Sequence, residues 1–198
     1  GVLLESVKAV NWDEVKAKVV CDESVIGIGD FIPGEKGARK VLKYFLEEKL
    51  VAYDEARNNF NTDGQSNLSP YIAHGNISRR RIIVELLKIA GITIEEAFDP
   101  IQNGSNGKLG SVAAFIEECV VRAELSDNFC YYNENYDRVN GFPSWSKMTL
   151  NKARTDTREF IYALEEFRDA GTHDEVWNAA QMQMVRTGKM HGYMRMYW

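Results

Sequence analysis

Residues 37–58 read GARKVLKYFLEEKLVAYDEARN, and this stretch decides the fold class. Its apolar residues recur three and four positions apart, which is the spacing of one face of an α-helix, while the positions between them are mostly Lys and Glu. The residues on this apolar face are Val41, Leu42, Phe45, Leu46, Leu50 and Tyr53. Such a stripe is stable only when it packs against other elements, so the segment predicts a long amphipathic helix in a helical domain.

Two further segments carry helix boundaries as well as apolar periodicity. The segment SRRRIIVELLKIAG opens on Ser78, a predicted N-cap, and closes on Gly91, a predicted helix end. The segment THDEVWNAAQMQMVRTG places Thr172 three residues before Glu175, which is the spacing of a capping box, and it ends at Gly188. We therefore expect one helix between each pair of boundaries.

Two other segments predict helices from their apolar residues alone. Residues 111–129, SVAAFIEECVVRAELSDNF, predict a largely buried helix from about Val112. Residues 149–171, TLNKARTDTREFIYALEEFRDAG, predict one helix that ends at Gly171. The apolar positions of that helix are Leu150, Phe160, Ile161, Leu164 and Phe167.

Strand patterns are scarce by comparison. Only KVVCDESVIGIG, residues 18–29, fits a short extended piece. Residues 21–37 and 99–110 are rich in Gly and polar side chains and are the predicted linkers. The sequence as a whole predicts one all-α domain with long irregular connections.

The composition limits the class of protein. With 198 residues, 44% of them hydrophobic, the chain can bury one sizeable core. No apolar run reaches the roughly 18 residues of a membrane span and no signal-peptide pattern opens the chain, which predicts an intracellular, cytoplasmic protein, or a nuclear one in a eukaryote. Three cysteines without CxxC spacing argue against a disulfide scaffold and a zinc site, so no metal site is predicted. A net charge of −5 gives no overall nucleic-acid signature, so a DNA partner would need a local basic patch.

The most suggestive connection is residues 53–78, YDEARNNFNTDGQSNLSPYIAHGNIS. Between Gly64 and Ser69, hydroxyl, amide and backbone N–H groups lie close together, and Pro70 occupies a first-turn position of a helix. A turn into a helix N-terminus can hold an anion such as a phosphate. On spacing alone, an ordinary capped loop is the alternative.

Three motifs, in this order, resemble the DNA photolyase/cryptochrome family. The first is the loop just quoted, with its Tyr, its Arg-Asn and Phe, the turn GQSNLSPY and the helix start GNIS. The second, ELSDNFCYYN at 124–133, and the third, THDEVWNAAQMQMVRTGKMHGYMRMYW at 172–198, are similar to the class II cyclobutane pyrimidine dimer photolyases. The resemblance covers most of residues 35–198. It implies the FAD-binding helical domain of a light-driven DNA repair enzyme.

The resemblance also implies a domain organisation. Residues 1–34 are expected to be the segment that enters from an N-terminal α/β antenna domain, and residues 35–198 the helical FAD-binding catalytic domain. Family members continue past the position of Trp198. The expectation is therefore a truncated domain without the antenna domain and without its C-terminal end.

FAD, active in its reduced form, is the cofactor that the resemblance implies, and the antenna pigment is left undefined. The implied FAD contacts lie on the polar turn and on two arginines. They are Tyr53, Gln65, Ser66, Asn67, Leu68, Ser69, Arg122 and Arg195. The donors of the turn suit the pyrophosphate and ribitol region of FAD.

Four residues receive catalytic roles from the resemblance. Glu118 is the acid that hydrogen-bonds to a carbonyl of the pyrimidine dimer, and Met196 packs under the dimer. Trp177 and Trp198 form a relay that passes an electron to the excited flavin. From the residues alone, Glu118 lies in an apolar run where a buried carboxyl group has a raised pKa. The alternatives are a solvated helix edge or a pair with Arg122 for Glu118, and a core position for each tryptophan.

Basic and aromatic side chains supply the candidate DNA contacts. They are Arg79, Arg80, Arg81, Lys189 and Tyr193. A solvated helix start is the alternative for the arginine triplet.

Several other side chains are assigned without a direct role in repair. Tyr162 is a hypothetical neighbour of the tryptophan relay. A core position is predicted for the following side chains: Trp12, Trp145, Met182, Met184 and Met190.

The function that the resemblance implies is that of a class II deoxyribodipyrimidine photo-lyase. Its partner is UV-damaged DNA containing pyrimidine dimers, with no membrane, and the protein is expected to be a monomer. Two alternatives remain open at this point. One is a cryptochrome-like flavin photoreceptor that signals to a protein partner, and the other is a helical interaction module without flavin.

Overall fold

The structure is a computed structural model that describes residues 10–20, 27, 29, 31–103 and 107–198. Side chains are described for all of these except residues 100–103. Every regular element in this part of the chain is helical, which confirms the predicted all-α fold class. The predicted extended piece at 18–29 falls mostly outside the described residues. None of the described helices is both long and apolar enough to cross a bilayer.

The helices follow one another through mostly short connections. Their bounds, in chain order, are α1 Trp12–Lys16, α2 Gly34–Tyr44, α3 Tyr53–Ala56, α4 Ser69–Ala73, α5 Arg79–Ala90, α6 Ile94–Asn103, α7 Gly107–Ile116, α8 Arg122–Tyr132, α9 Ser144–Lys152, α10 Leu164–Arg168, α11 Glu175–Thr187 and α12 Gly192–Tyr197. Two π-helical turns, Phe45–Lys49 and Glu117–Val121, and three 3-10 turns, Leu50–Ala52, Val139–Gly141 and Ala153–Thr155, complete them.

The stretch that decides the fold class forms a nearly unbroken helical rod. It runs from α2 through the first π-helical turn and a 3-10 turn into α3. Five of its six stripe residues are buried, and Val41 packs against them as a partly buried neighbour. The prediction of a long amphipathic helix is therefore confirmed, with a change of helical pitch in its middle.

One large apolar cluster joins this rod to α4, α5, α6 and α7. At its centre the ring of Phe45 lies 4.8 Å from that of Phe115 and 5.4 Å from that of Tyr53, measured between centroids. The buried hydroxyl of Ser111 ties α7 to the rod, because its Oγ donates to the Val51 carbonyl at 3.1 Å and accepts from the Asp54 N–H at 3.1 Å. A much smaller cluster, of Ala180, Met190 and Met194 with Met184 against it, holds α11 to α12.

Local capping signals fixed the boundaries of α5 as predicted. The Ser78 Oγ accepts the N–H of Arg81 at 3.2 Å, and Gly91 ends the helix with a φ of 72°, in the left-handed region that glycine adopts without strain. Pro70 lies in the first turn of α4, as expected.

The N-cap of α11 was assigned wrongly. Asp174, not Thr172, caps that helix, since its carboxylate accepts the N–H groups of Val176 and Trp177 at 3.0 Å.

The prediction of a single helix over residues 149–171 was wrong. The chain leaves α9 through a 3-10 turn, runs irregularly over residues 156–163, and forms only the short α10. The guanidinium of Arg158 stabilises the break, because it donates to the carbonyls of Ala153 and Asp156 at 3.0 Å each. Ile161 and Leu164 are consequently exposed.

Two other assignments were wrong in this part of the fold. Trp12 and Trp145 lie on short outer helices with 65% and 71% of their surface exposed, so neither is a core residue. The linker predicted at 99–110 is largely helical, since α6 extends to Asn103 and α7 begins at Gly107. The core assignment is confirmed for Met190, which is buried.

Candidate functional site

A sharply folded polar turn follows α3 and leads into α4. Gly64 is buried where its backbone approaches Ala56, and a Cβ at this position would collide with that backbone. Asn67 has a φ of 58°, and its Nδ2 donates to the Asp63 Oδ1 at 3.2 Å. The Ser66 Oγ accepts the N–H of Leu68 at 3.4 Å. The turn is therefore held by its own side chains, with its amides and hydroxyls grouped at one side of the core.

The connection between α11 and α12 meets this turn. The Lys189 Nζ donates to the Oδ1 of Asn67 across 122 residues of sequence. A Cβ at Gly192 would lie 3.0 Å from the Gln65 Nε2, so the absence of a side chain there lets the two segments approach. The turn and the C-terminal helices, distant in the sequence, thus form two walls of one site.

A cavity of about 400 Å³ lies between these walls. Its volume is in the range of small-molecule sites, and most of its lining is polar. The lining residues are Phe31, Phe60, Asn61, Thr62, Asp63, Gln65, Asn67, Gln183, Thr187, Lys189 and His191. Of the predicted FAD contacts, Gln65 and Asn67 line it, whereas Tyr53 and Leu68 pack in the large apolar cluster.

A larger cavity of about 530 Å³ lies between α2 and α5. Its floor contains Leu42 and Leu46, and Arg81 is its one predicted site residue among the described residues that line it. Arg81 is already paired with Glu85 at 2.7 Å. The smaller cavity therefore matches the predicted chemistry better.

Positive charge is concentrated at the smaller cavity. Lys49, whose side chain is 10% exposed, forms an ion pair with Asp63 at 2.6 Å and donates to the Gln65 carbonyl at 3.3 Å. Burial of Lys189 lowers its pKa to about 8, with the charges of Lys49 and Arg195 acting in the same direction and that of Asp63 opposing them. Burial alone would raise the pKa of Asp63, but its hydrogen bonds and the lysine charges lower it. Three cations against one carboxylate favour an anionic ligand.

Glu118 lies on the second π-helical turn and is not buried as predicted. Its side chain is 48% exposed, and its Oε1 accepts a hydrogen bond from the Arg57 Nη1 at 2.8 Å. Arg57 in turn lies over the ring of Tyr53, with 6.0 Å between the guanidinium carbon and the ring centroid. Burial raises the pKa of Tyr53 to about 12, so its hydroxyl stays protonated. Glu118 is thus anchored from one side and open to solvent on the other.

The pairing of Glu118 with Arg122 is also wrong. Arg122 is exposed, and its Nε donates to the Oε1 of Glu117 at 3.0 Å. The π-helical turn explains the change, because it places side chains five positions apart over one another instead of four. Arg122 as a flavin contact stays a prediction.

The two tryptophans of the predicted relay are in contact. The rings of Trp177 and Trp198 stack at 6.0 Å between centroids and 15° between planes. The Trp177 Nε1 donates to the Trp198 carbonyl at 3.2 Å, and the Trp198 Nε1 donates to the Gln181 Oε1 at 3.0 Å. Phe167 joins this pair to Tyr162, with ring centroids 5.1 Å from Trp177 and 5.3 Å from Tyr162. Six residues of α11, about 9 Å along its axis, separate Trp177 from Gln183 in the cavity wall.

The other predicted site residues lie at or near the surface. Met196 is 74% exposed, and Tyr193, Arg195, Ser69 and Arg80 are also exposed, while Ser66 is partly buried. Two arginines of the triplet are paired with acids: Arg79 with Asp127 at 3.2 Å and Arg81 with Glu85. The ammonium of Lys189 is in the cavity with Asn67, and its contact with DNA stays a prediction.

Four site residues were missed from the sequence. Lys49, Asp63, Arg57 and His191 acquire their positions through contacts with distant segments. Arg57 and Asp63 lie inside the first quoted motif and His191 inside the third, whereas Lys49 lies outside all three motifs.

The chain has close relatives of known name. No protein-family model matches it. It is 40% identical to the deoxyribodipyrimidine photo-lyase of Potorous tridactylus over 96% of its length, and 40% identical to that of Oryza sativa subsp. japonica over 98%. These alignments cover 33% and 37% of the two proteins, so the chain spans about a third of the length of the curated relatives it matches.

A solved structure also resembles this one. It is the crystal structure of a bacterial class III photolyase from Agrobacterium tumefaciens, with a TM-score of 0.59 and 22% sequence identity. The similarity covers 85% of this chain and 30% of that one. The two chains therefore share a helical fold.

Proposed function

Because the chain belongs to the DNA photolyase family and spans about a third of its relatives' length, we propose that it is the flavin-binding helical part of a light-driven DNA repair enzyme. The observation that supports this most directly is the cavity between the polar turn and the α11–α12 connection. We assign residues 35–198 to this domain and residues 1–34 to the segment that enters it.

The residues of the cavity fit FAD. Lys49, Lys189 and Arg195 supply positive charge for its diphosphate, and Gln65 and Asn67 supply amides for its polar oxygens. Reduced FAD, when bound and excited by blue light, supplies the electron that splits a cyclobutane pyrimidine dimer and takes it back, without net redox change. The protein holds the cofactor and the lesion close to each other, and it supplies polar side chains on the wall formed by the turn.

The remaining roles belong to side chains outside the cavity lining. Arg57 holds one oxygen of Glu118, and in the protonated acid the hydroxyl on the exposed side can donate a hydrogen bond to a carbonyl of the dimer and stabilise the negative charge that develops there. Exposed Met196 offers a polarizable apolar surface to the flat lesion. The stacked Trp177 and Trp198 are oxidisable rings in contact, so they can pass an electron between the surface and the site.

The substrate we propose is duplex DNA with a cyclobutane dimer flipped out of the base stack. The free energy of unstacking is smaller for a damaged base than for an intact one. Arg79, Arg80, Arg81 and Tyr193 are the proposed DNA contacts. The class II assignment rests on the motifs at 124–133 and 172–198 and on Gly192, where other classes have Asn. A monomer is proposed.

The proposal is tested on the purified chain by visible absorption and by repair. We expect oxidised flavin bands that bleach when the sample is illuminated with a reductant, and restoration of pyrimidines in UV-irradiated DNA under blue light. Dark samples and unirradiated DNA are the controls. Flavin binding without repair would favour a photoreceptor, and a chain that takes up no flavin would overturn the proposal.

The affinity for flavin is expected to depend on pH through Lys189. With a pKa of about 8, its ammonium fraction falls from about nine-tenths at pH 7 to about one-tenth at pH 9. An anionic ligand binds the ammonium form, so affinity for FAD is lost as the pH rises through 8, by about tenfold between pH 7 and pH 9. Fluorescence titration measures this. Lys189→Met should bind FAD more weakly at pH 7 with a flat profile, and an equal slope in that variant contradicts the assignment.

A further inference from the structure

His191, in the connection between α11 and α12, has a defined tautomer. Its Nδ1 lies 3.2 Å from the backbone N of Tyr193, where it caps the start of α12. A backbone N–H can only donate, so Nδ1 is the acceptor and carries no proton. Burial, with the charges of Lys189 and Arg195, lowers the pKa of His191, so the ring is neutral at pH 7. A neutral imidazole with a bare Nδ1 holds its proton on Nε2.

That Nε2–H is a buried donor without a partner among the described residues. Leaving a buried donor unpaired is unfavourable, which is why such groups are rare in native proteins. His191 lines the smaller cavity, next to Lys189 and the turn. Its backbone N–H donates to the Gln183 Oε1 at 3.0 Å, so the connection that carries the ring is fixed at two points, by this bond and by the α12 cap. The imidazole ring is therefore held in place in the cavity wall.

The charges around this donor select its acceptor. Lys49, Lys189 and Arg195 act on the cavity with one opposing carboxylate, Asp63, which is already engaged by Lys49. A neutral N–H surrounded by cations complements an anionic oxygen better than a second donor or an apolar group. We infer that the His191 Nε2–H donates a hydrogen bond to a diphosphate oxygen of the bound dinucleotide. This inference rests on the proposed function.

Two substitutions separate this role from the helix cap. His191→Asn keeps an acceptor where Nδ1 caps α12, and Asn is among the best N-cap residues, but it has no donor at the Nε2 position. His191→Gln places an amide N–H near Nε2 and lacks a good cap. We expect His191→Asn to weaken FAD binding by about tenfold or more with an unchanged melting temperature of the empty chain. His191→Gln should keep most of the affinity and lower the melting temperature.

Three ligands, each titrated into the parent chain and into His191→Asn, show which part of FAD accepts the hydrogen bond. FAD and adenosine diphosphate should lose affinity by the same factor in the variant, whereas riboflavin, which has no phosphate, should lose none. Equal FAD affinity in parent and variant would mean that water satisfies the donor, and it would overturn the inference while leaving the proposed function standing. An equal loss for riboflavin would overturn the diphosphate assignment. A parent chain that binds no FAD would instead overturn the proposed function.

Discussion

Trp198→Phe is expected to slow photoreduction of the bound flavin by about tenfold or more, equivalent to ~1.4 kcal/mol or more of activation free energy. The reason is the stack of Trp177 on Trp198, in which the indole rings are 6.0 Å apart and nearly parallel. A phenyl ring fills much of the same space but is far harder to oxidise than an indole. The measurement is the rate of bleaching of the flavin bands under constant blue light with a reductant.

The chain offers a matched control for this result. Trp145→Phe makes the same chemical change at a side chain that is 71% exposed on α9, and it should leave the bleaching rate unchanged. The melting temperature must be compared as well, because Trp198→Phe also removes the hydrogen bond to Gln181, at a cost of about 1 kcal/mol. If both variants bleach at the parent rate with flavin bound, the relay assignment is wrong.

Phe45→Ala should lower the free energy of unfolding by about 3–5 kcal/mol. Phe45 has no exposed surface and contacts the rings of Tyr53 and Phe115, so the substitution opens a cavity where the rod meets α7. Urea unfolding followed by circular dichroism measures the change. Phe129→Ala removes the same side chain from a position that is 45% exposed on α8, and its effect should stay below about 1 kcal/mol. Similar losses in the two variants would contradict the description of the core.

The parts of the fold that the sequence predicted are those with local causes. The stripe from Val41 to Tyr53 and the caps Ser78 and Gly91 depend on neighbouring residues only. The helix predicted over 149–171 failed because apolar spacing alone does not show that Arg158 will bind the carbonyls that the helix would need.

The site was predictable in outline but not in its pairings. The motifs led to the polar turn and to the tryptophan pair. A π-helical turn has no signal at a period of 3.6 residues, so the exchange of partners among Glu117, Glu118 and Arg122 could not be read from the sequence. The contact of Lys189 with Asn67 spans 122 residues and depends on how two distant segments pack.

The two walls of the cavity are anchored unequally. The turn is continuous with the large apolar cluster through Leu68, whereas the cluster that joins α11 to α12 has three buried side chains among the residues that the structure describes. Local opening is more frequent where buried contacts are fewer, so we expect the wall formed by α11 and α12 to open more readily than the turn. A ligand that contacts both walls therefore stabilises the arrangement in which α11 and α12 are packed against the turn. Binding of such a ligand and ordering of α11 and α12 would then be one coupled equilibrium, set by the ligand concentration.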